Sequence, residues 1–213
     1  MSAARQARLA AWIDRTNVQI LPGVNYTESP CTPPLPREGC TLAHLRALAL
    51  VATADQDRWH LIFEDDAVPS NYVLSHPTWA EDVLAATKGA QAVNLGPSDP
   101  FPSWGQFIRH PTAMVAQWIT WKRSTSPLLA MKGWNAWAHA YMATPQGARR
   151  MSAYVVQRMC GNHWDVILGH RARWNPEMQV LQRVYSWNTT WPAGTWRNNG
   201  LFGQSNDHAS ATS

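Results

Sequence analysis

A short apolar run that stops at three consecutive acids constrains this chain more than any other feature. Residues Trp59 to Phe63 are Trp-His-Leu-Ile-Phe, and Glu64-Asp65-Asp66 follow directly. A run of this length bounded by charge reads as a buried central strand whose carboxyl end opens into a site. Three adjacent carboxylates repel one another, so they lie near solvent or are neutralised by a cation. In open α/β sheets ligands sit beyond the carboxyl ends of strands, and hard oxygen ligands suit Mg²⁺ or Mn²⁺. The plainer reading is a solvated acidic turn that caps the next element.

The segments around this run alternate in kind. A helix is expected over Ala3 to Ile13, then an apolar stretch from Val18 to Leu21 that halts at Pro22-Gly23. Four prolines between Thr27 and Pro36 make that segment a loop. Leu42, Leu45, Ala49 and Ala52 fall at helical spacing, which predicts a helix from Thr41 to Ala54 with Thr41 as its cap. A helix is expected at Trp79 to Lys88, and strands at Gln91 to Leu95, Met114 to Trp121 and Ala138 to Ala143. Thr144-Pro145 then supplies a cap and a first-turn proline for a helix through Met159, with Ala148, Met151, Val155 and Met159 on one face. Strand and helix in alternation imply one α/β domain over residues 1–213, with a mixed, mostly parallel sheet and a carboxyl tail from about Trp191 wrapping the surface.

Composition excludes whole classes. Of 213 residues 45% are hydrophobic, too many for a disordered chain. No stretch of about 18 uninterrupted apolar residues is present to span a membrane. The net charge of +4 is scattered, without the block of Lys and Arg that marks a nucleic-acid arm, and it suits a small anionic ligand better. Thirteen tryptophans are many for one domain; most are expected in the core, Trp12 and Trp59 among them, while others are free to stack on a sugar. Cys31, Cys40 and Cys160 form no CxxC pair and are odd in number, which predicts free thiols in a reducing, cytoplasmic compartment. The charged start, from Met1 to Arg15, does not read as a secretory signal.

Several motifs, taken in order, resemble glycosyltransferase family 25, which includes bacterial lipopolysaccharide glycosyltransferases, collagen galactosyltransferases and viral relatives. They are Arg37-Glu38-Gly39-Cys40-Thr41-Leu42-Ala43-His44-Leu45, then Leu61-Ile62-Phe63-Glu64-Asp65-Asp66-Ala67, then Ala140-Tyr141-Met142 with Gly147-Ala148, and last Gly203-Gln204-Ser205 with Ser210. Ala43 stands where the family usually has Ser, and the family's opening strand has no counterpart ahead of Arg5 and Arg8. The resemblance implies an A-type, Rossmann-like transferase that moves a sugar from a nucleoside diphosphate sugar to a glycan or glycoconjugate acceptor, with Mn²⁺ or Mg²⁺ as cofactor.

On that resemblance Asp66 is the direct metal ligand, assisted by Asp65 or Glu64, and the tail residue His208 completes the metal shell. Arg5 or Arg8 would hold the donor diphosphate. If the transfer inverts the anomeric centre, Asp165 is the candidate general base. Its competing role is a first-turn helix acid. His44 reads as a hydrogen-bonded structural residue rather than a ligand, while His163 with Trp134, Trp137 and Trp164 would contact acceptor. Two other classes compete with the transferase: a non-catalytic glycan- or nucleotide-sugar-binding protein of the same fold, and a phosphoryl-transfer or receiver-type domain. The last needs a lysine at a later strand end, and Lys88, Lys122 and Lys132 are poorly placed for it.

Overall fold

Alternation along short strands divides the core in two. A computed structural model of the chain describes residues 18–54, 58–96, 128–132, 139–171, 178, 180–186, 195–196 and 200–205. The strands are β1 (His60–Phe63), β2 (Ala67–Pro69), β3 (Ala92–Asn94), β4 (Leu128–Lys132), β5 (Ala140–Ala143), β6 (Leu181–Ser186), β7 (Thr195–Trp196) and β8 (Phe202–Ser205). Five of them form one mixed sheet in the order β1-β5-β3-β6-β4, and β2-β8-β7 form a second. On β5, Tyr141 and Ala143 belong to one apolar cluster, while Ala140 and Met142 belong to the other. This is the period of two of a strand buried on both faces.

The first face is covered by α1 (Pro36–Ala52) and α4 (Pro145–Val156), which pack against each other. Leu48 and Val51 of α1 and Ala148, Met151 and Val155 of α4 meet Tyr141, Trp164, Ile167 and Leu168 there. Thr144 caps α4 as its sequence predicts, its hydroxyl accepting from the Gly147 amide at 3.1 Å. Gly147 is required by close packing, because a Cβ would strike the carbonyl of Gln91. The second face holds Val93, Leu95 and Val184 beneath Leu201 and Phe202 of the tail and Val83 of α3 (Trp79–Ala86). A short helix, α2 (Asn71–Ser75), leads into α3. Trp59 packs against this second cluster, in keeping with a core role.

Several sequence expectations are corrected. The α/β class and the mixed sheet hold, but the sheet is not mostly parallel: among the described pairings of the five-stranded sheet β3–β6 is parallel, and β1–β5, β3–β5 and β4–β6 are antiparallel. β1 is a half-buried edge strand rather than a buried central one, because β5 is its partner among the described residues and the polar His60 lies within it. Helix α1 opens at Pro36, five residues ahead of Thr41, which is buried inside it. The tail does not wrap the surface throughout, since Leu201 and Phe202 are fully buried and β8 pairs with β2. Cys31 and Cys160 are joined in a disulfide, leaving Cys40 as the free cysteine, so two of the three expected thiols are not thiols. The expected helix at Ala3 to Ile13 and strand at Met114 to Trp121 lie outside the described residues. No described helix is long and apolar enough to cross a membrane.

A candidate metal centre at the end of the first strand

The register of β1 against β5 brings the site together. Phe63 pairs with Ala140, so the next positions, Glu64 and His139, face each other across the strand ends, and the Glu64 amide donates to the His139 carbonyl at 2.8 Å. Both side chains take the parity of Ile62 and Tyr141, the face covered by α1. A tight turn closes behind Glu64, the Ala67 amide donating to its carbonyl at 3.1 Å, and turns Asp66 inward to near-complete burial. From α1, His44 reaches down to the same spot. Asp165, in the segment after α4, lies within the electrostatic reach of Glu64, His44 and His139.

Glu64 is the hub. His139 Nδ1 donates to its Oε2 at 2.8 Å, and His44 Nε2 donates to its Oε1 at 3.2 Å. Burial disfavours a charge on Glu64, but the hydrogen bonds from His139 and His44 and the electrostatic pull of the two imidazoles outweigh it and hold the carboxyl well below the usual range. Burial works likewise against a charged His139, yet the Glu64 hydrogen bond and the charges of Glu64, Asp66 and Asp165 raise it. His139 Nδ1 also lies 3.8 Å from Asp66 Oδ1. His44 is fixed from behind by the Tyr141 hydroxyl at 3.1 Å from Nδ1, and its ring stacks on Trp164 with centroids 4.5 Å apart.

Two groups of side chains are close enough to hold a metal ion: Glu64, Asp66 and His139, and Cys40, His44 and Glu64, each with its donor atoms within 4.8 Å of one another. The Cys40 thiol lies 4.0 Å from Glu64 Oε1, and burial together with Glu64, Asp165 and Asp66 pushes its pKa up to about 12. Asp165 is raised too, chiefly by burial, with His163 opposing the shift and Glu64 adding to it. Its carboxylate lies 3.7 Å from His163 Nδ1, which accepts from the Asp165 amide at 3.3 Å.

Of the residues singled out in the sequence, Glu64 and Asp66 therefore come together, and Asp165 lies near enough to feel the charge of Glu64. Asp65 sits in the turn between them, half-buried, and belongs to neither ligand group. His44 has the hydrogen-bonded role expected of it, and it also stands within the second ligand group. Trp164 does not offer a sugar platform, because it is buried against His44 and Tyr141. Arg5, Arg8, His208, Trp134 and Trp137 lie outside the described residues. Sequence reading missed His139. The sequence carries only its face, since it stands two residues before Tyr141 on an expected strand; its place opposite Glu64 comes from the register. Comparison with protein-family models, with curated proteins and with solved structures finds no match for the chain.

Proposed function

We propose that the chain transfers a sugar, with inversion, from a nucleoside diphosphate sugar to a hydroxyl of a glycan or glycoconjugate acceptor, on a Rossmann-like A-type domain of the kind glycosyltransferase family 25 uses. The observation that carries this reading is the convergence of Glu64, Asp66 and His139 at one strand end, with Asp165 near enough to feel the charge of Glu64. The donor set suits a divalent cation. Neighbouring vertices of an octahedron with bonds of about 2.1 Å stand about 3 Å apart, and His139 Nδ1 is 2.8 Å from Glu64 Oε2 and 3.8 Å from Asp66 Oδ1. An imidazole beside two carboxylates favours Mn²⁺ over Mg²⁺. A cation bound there supplies positive charge against the charge that grows on the departing diphosphate.

The remaining work falls to the chain's own residues. Asp165, held partly out of water and raised by burial, is disposed to take the proton of the acceptor hydroxyl, with the His163 ring 3.7 Å from its carboxylate. A guanidinium at Arg5 or Arg8 holds the diphosphate by its bidentate fork, so Arg8→Lys weakens donor binding despite keeping the charge. The test is a panel of nucleotide sugars offered to the full chain with and without Mn²⁺, read as ligand-induced thermal shift and as release of free nucleotide. The expected result is Mn²⁺-dependent binding and release for one donor class, with Mn²⁺ affinity falling at least about tenfold in Asp66→Ala. Unchanged Mn²⁺ affinity in that variant ends the metal assignment. Donor binding with no nucleotide release under any acceptor makes the protein a binding module instead.

A further inference from the structure

The two oxygens of Glu64 are turned to different partners. Oε2 faces His139, while Oε1 faces His44 Nε2 at 3.2 Å and the Cys40 thiol at 4.0 Å. We propose that Cys40, His44 and Glu64 Oε1 form a second metal position, one that takes a cation of the zinc class, so that Glu64 is a carboxylate shared between two sites.

The placement follows from the helix. Cys40 and His44 are four residues apart on α1, hence on one face and one turn apart, and that face meets the end of β1. Zinc bonds of about 2.3 Å to sulfur and about 2.0–2.2 Å to nitrogen and oxygen set donor atoms about 3.4–3.6 Å apart in a tetrahedron. The two separations from Glu64 Oε1, 3.2 Å to His44 and 4.0 Å to Cys40, lie on either side of that range, and all three donor atoms lie within 4.8 Å of one another, so a small movement of the thiol brings it to bonding distance. His44 is oriented as metal-ligating histidines are: Nε2 points at the site while Nδ1 is fixed by the Tyr141 hydroxyl, and the ring is clamped against Trp164. A thiolate, an imidazole and one carboxylate form a donor set for zinc and not for Mg²⁺ or Ca²⁺. Access exists as well, since the Glu64 side chain keeps 30% of its surface and that of Asp165 keeps 26%. Three protein ligands leave a fourth vertex open for water or substrate, the pattern of zinc sites that do chemistry rather than brace a fold.

Binding balances simply. The sulfur–metal bond forms as the S–H bond breaks, and the proton passes to solvent. At His44 the proton donated to Glu64 leaves Nε2 for the metal to take its lone pair, and Nδ1 carries one to the Tyr141 oxygen, so the ring stays neutral. None of this depends on sugar transfer.

Cobalt(II) is the probe, because a thiolate bound to it gives a charge-transfer band in the near ultraviolet that carboxylate and imidazole ligands do not. Titrated into the full chain with its disulfide intact, cobalt(II) is expected to raise this band to saturation, and zinc is expected to abolish it. Cys40→Ala and Cys40→Ser should both lose the band while keeping the far-ultraviolet dichroism of the parent. Asp66→Ala, which disables the neighbouring position alone, should keep it. A parent without the band, or a band that survives in both Cys40 variants, overturns the proposal. A band kept in Asp66→Ala alongside lost Mn²⁺ affinity supports two separable positions; a band lost there overturns them.

Discussion

At Glu64 two imidazoles act against burial to decide the state of one carboxylate, and the outcome is an ionised hub. Asp165, a short way off, has fewer partners and moves in the opposite direction. Two acids in one cluster are thus driven apart, the pattern in which one holds charge and the other exchanges a proton. On the proposed reaction, Asp165→Asn keeps shape and loses proton acceptance, so kcat should fall by roughly 10² or more with donor affinity nearly unchanged. Steady-state kinetics with separate donor-binding measurements check it, and loss of donor or Mn²⁺ affinity would make Asp165 a ligand instead of a base. Glu64 and Asp66 were legible because an apolar run broken by acids is a local pattern. His139 was not, because its place opposite Glu64 depends on strand register, which local sequence does not encode.

The start of α1 shows how an element boundary escapes a pattern of apolar spacing. The sequence places the cap at Thr41, but Pro36 already fits the first turn, where its missing amide hydrogen costs nothing. Glu38 then supplies what Leu35 cannot. Its carboxylate accepts from the Leu35 amide at 3.2 Å and from the Gly161 amide at 3.0 Å, tying the helix start to the turn after α4. Gly161 holds φ at +73°, a conformation that costs glycine little. A hydrogen bond from Ser29, then that from Gly161, lowers the Glu38 pKa. A carboxyl with a depressed folded pKa contributes stability above its unfolded value of about 4.3, and this is lost as pH falls through the folded value. Glu38→Gln should therefore be less stable than the parent near pH 7, with the difference shrinking on acidification below about pH 4. Urea unfolding at a series of pH values checks it, and a pH-independent difference would assign the loss to packing alone.

For the whole molecule, the α/β class was legible because alternating strand and helix patterns survive in a single sequence, whereas strand order and direction are settled by pairings between distant segments. Among the described residues β3 and β6, nearly ninety residues apart, make the parallel pair of the five-stranded sheet, and the edge strand β1 joins that sheet through β5. The disulfide is the plainest case of information that spacing does not hold. Counting three cysteines argued for thiols, yet Cys31 and Cys160, 129 residues apart in sequence, meet where the loop before α1 crosses the turn after α4. A crosslink that closes so long a loop restricts the unfolded chain strongly, by about 5 kcal/mol in the chain-entropy treatment. Measured losses on removing native bridges run at about 2–5 kcal/mol. The same turn carries Glu38's partner Gly161 and, four residues later, Asp165, so the bridge and the Glu38 hydrogen bond anchor one short segment to the start of α1. Replacing both cysteines by alanine should lower stability by about 2–5 kcal/mol in equilibrium unfolding. Mn²⁺ affinity should change little, because Glu64, Asp66 and His139 hang on β1, the turn behind it and the start of β5 rather than on the bridged loops. Comparing unfolding curves and Mn²⁺ titrations of the parent and the double variant decides both points: equal stability would mean that the bridge contributes nothing to the fold, and lost Mn²⁺ binding would place the metal centre under the control of that turn.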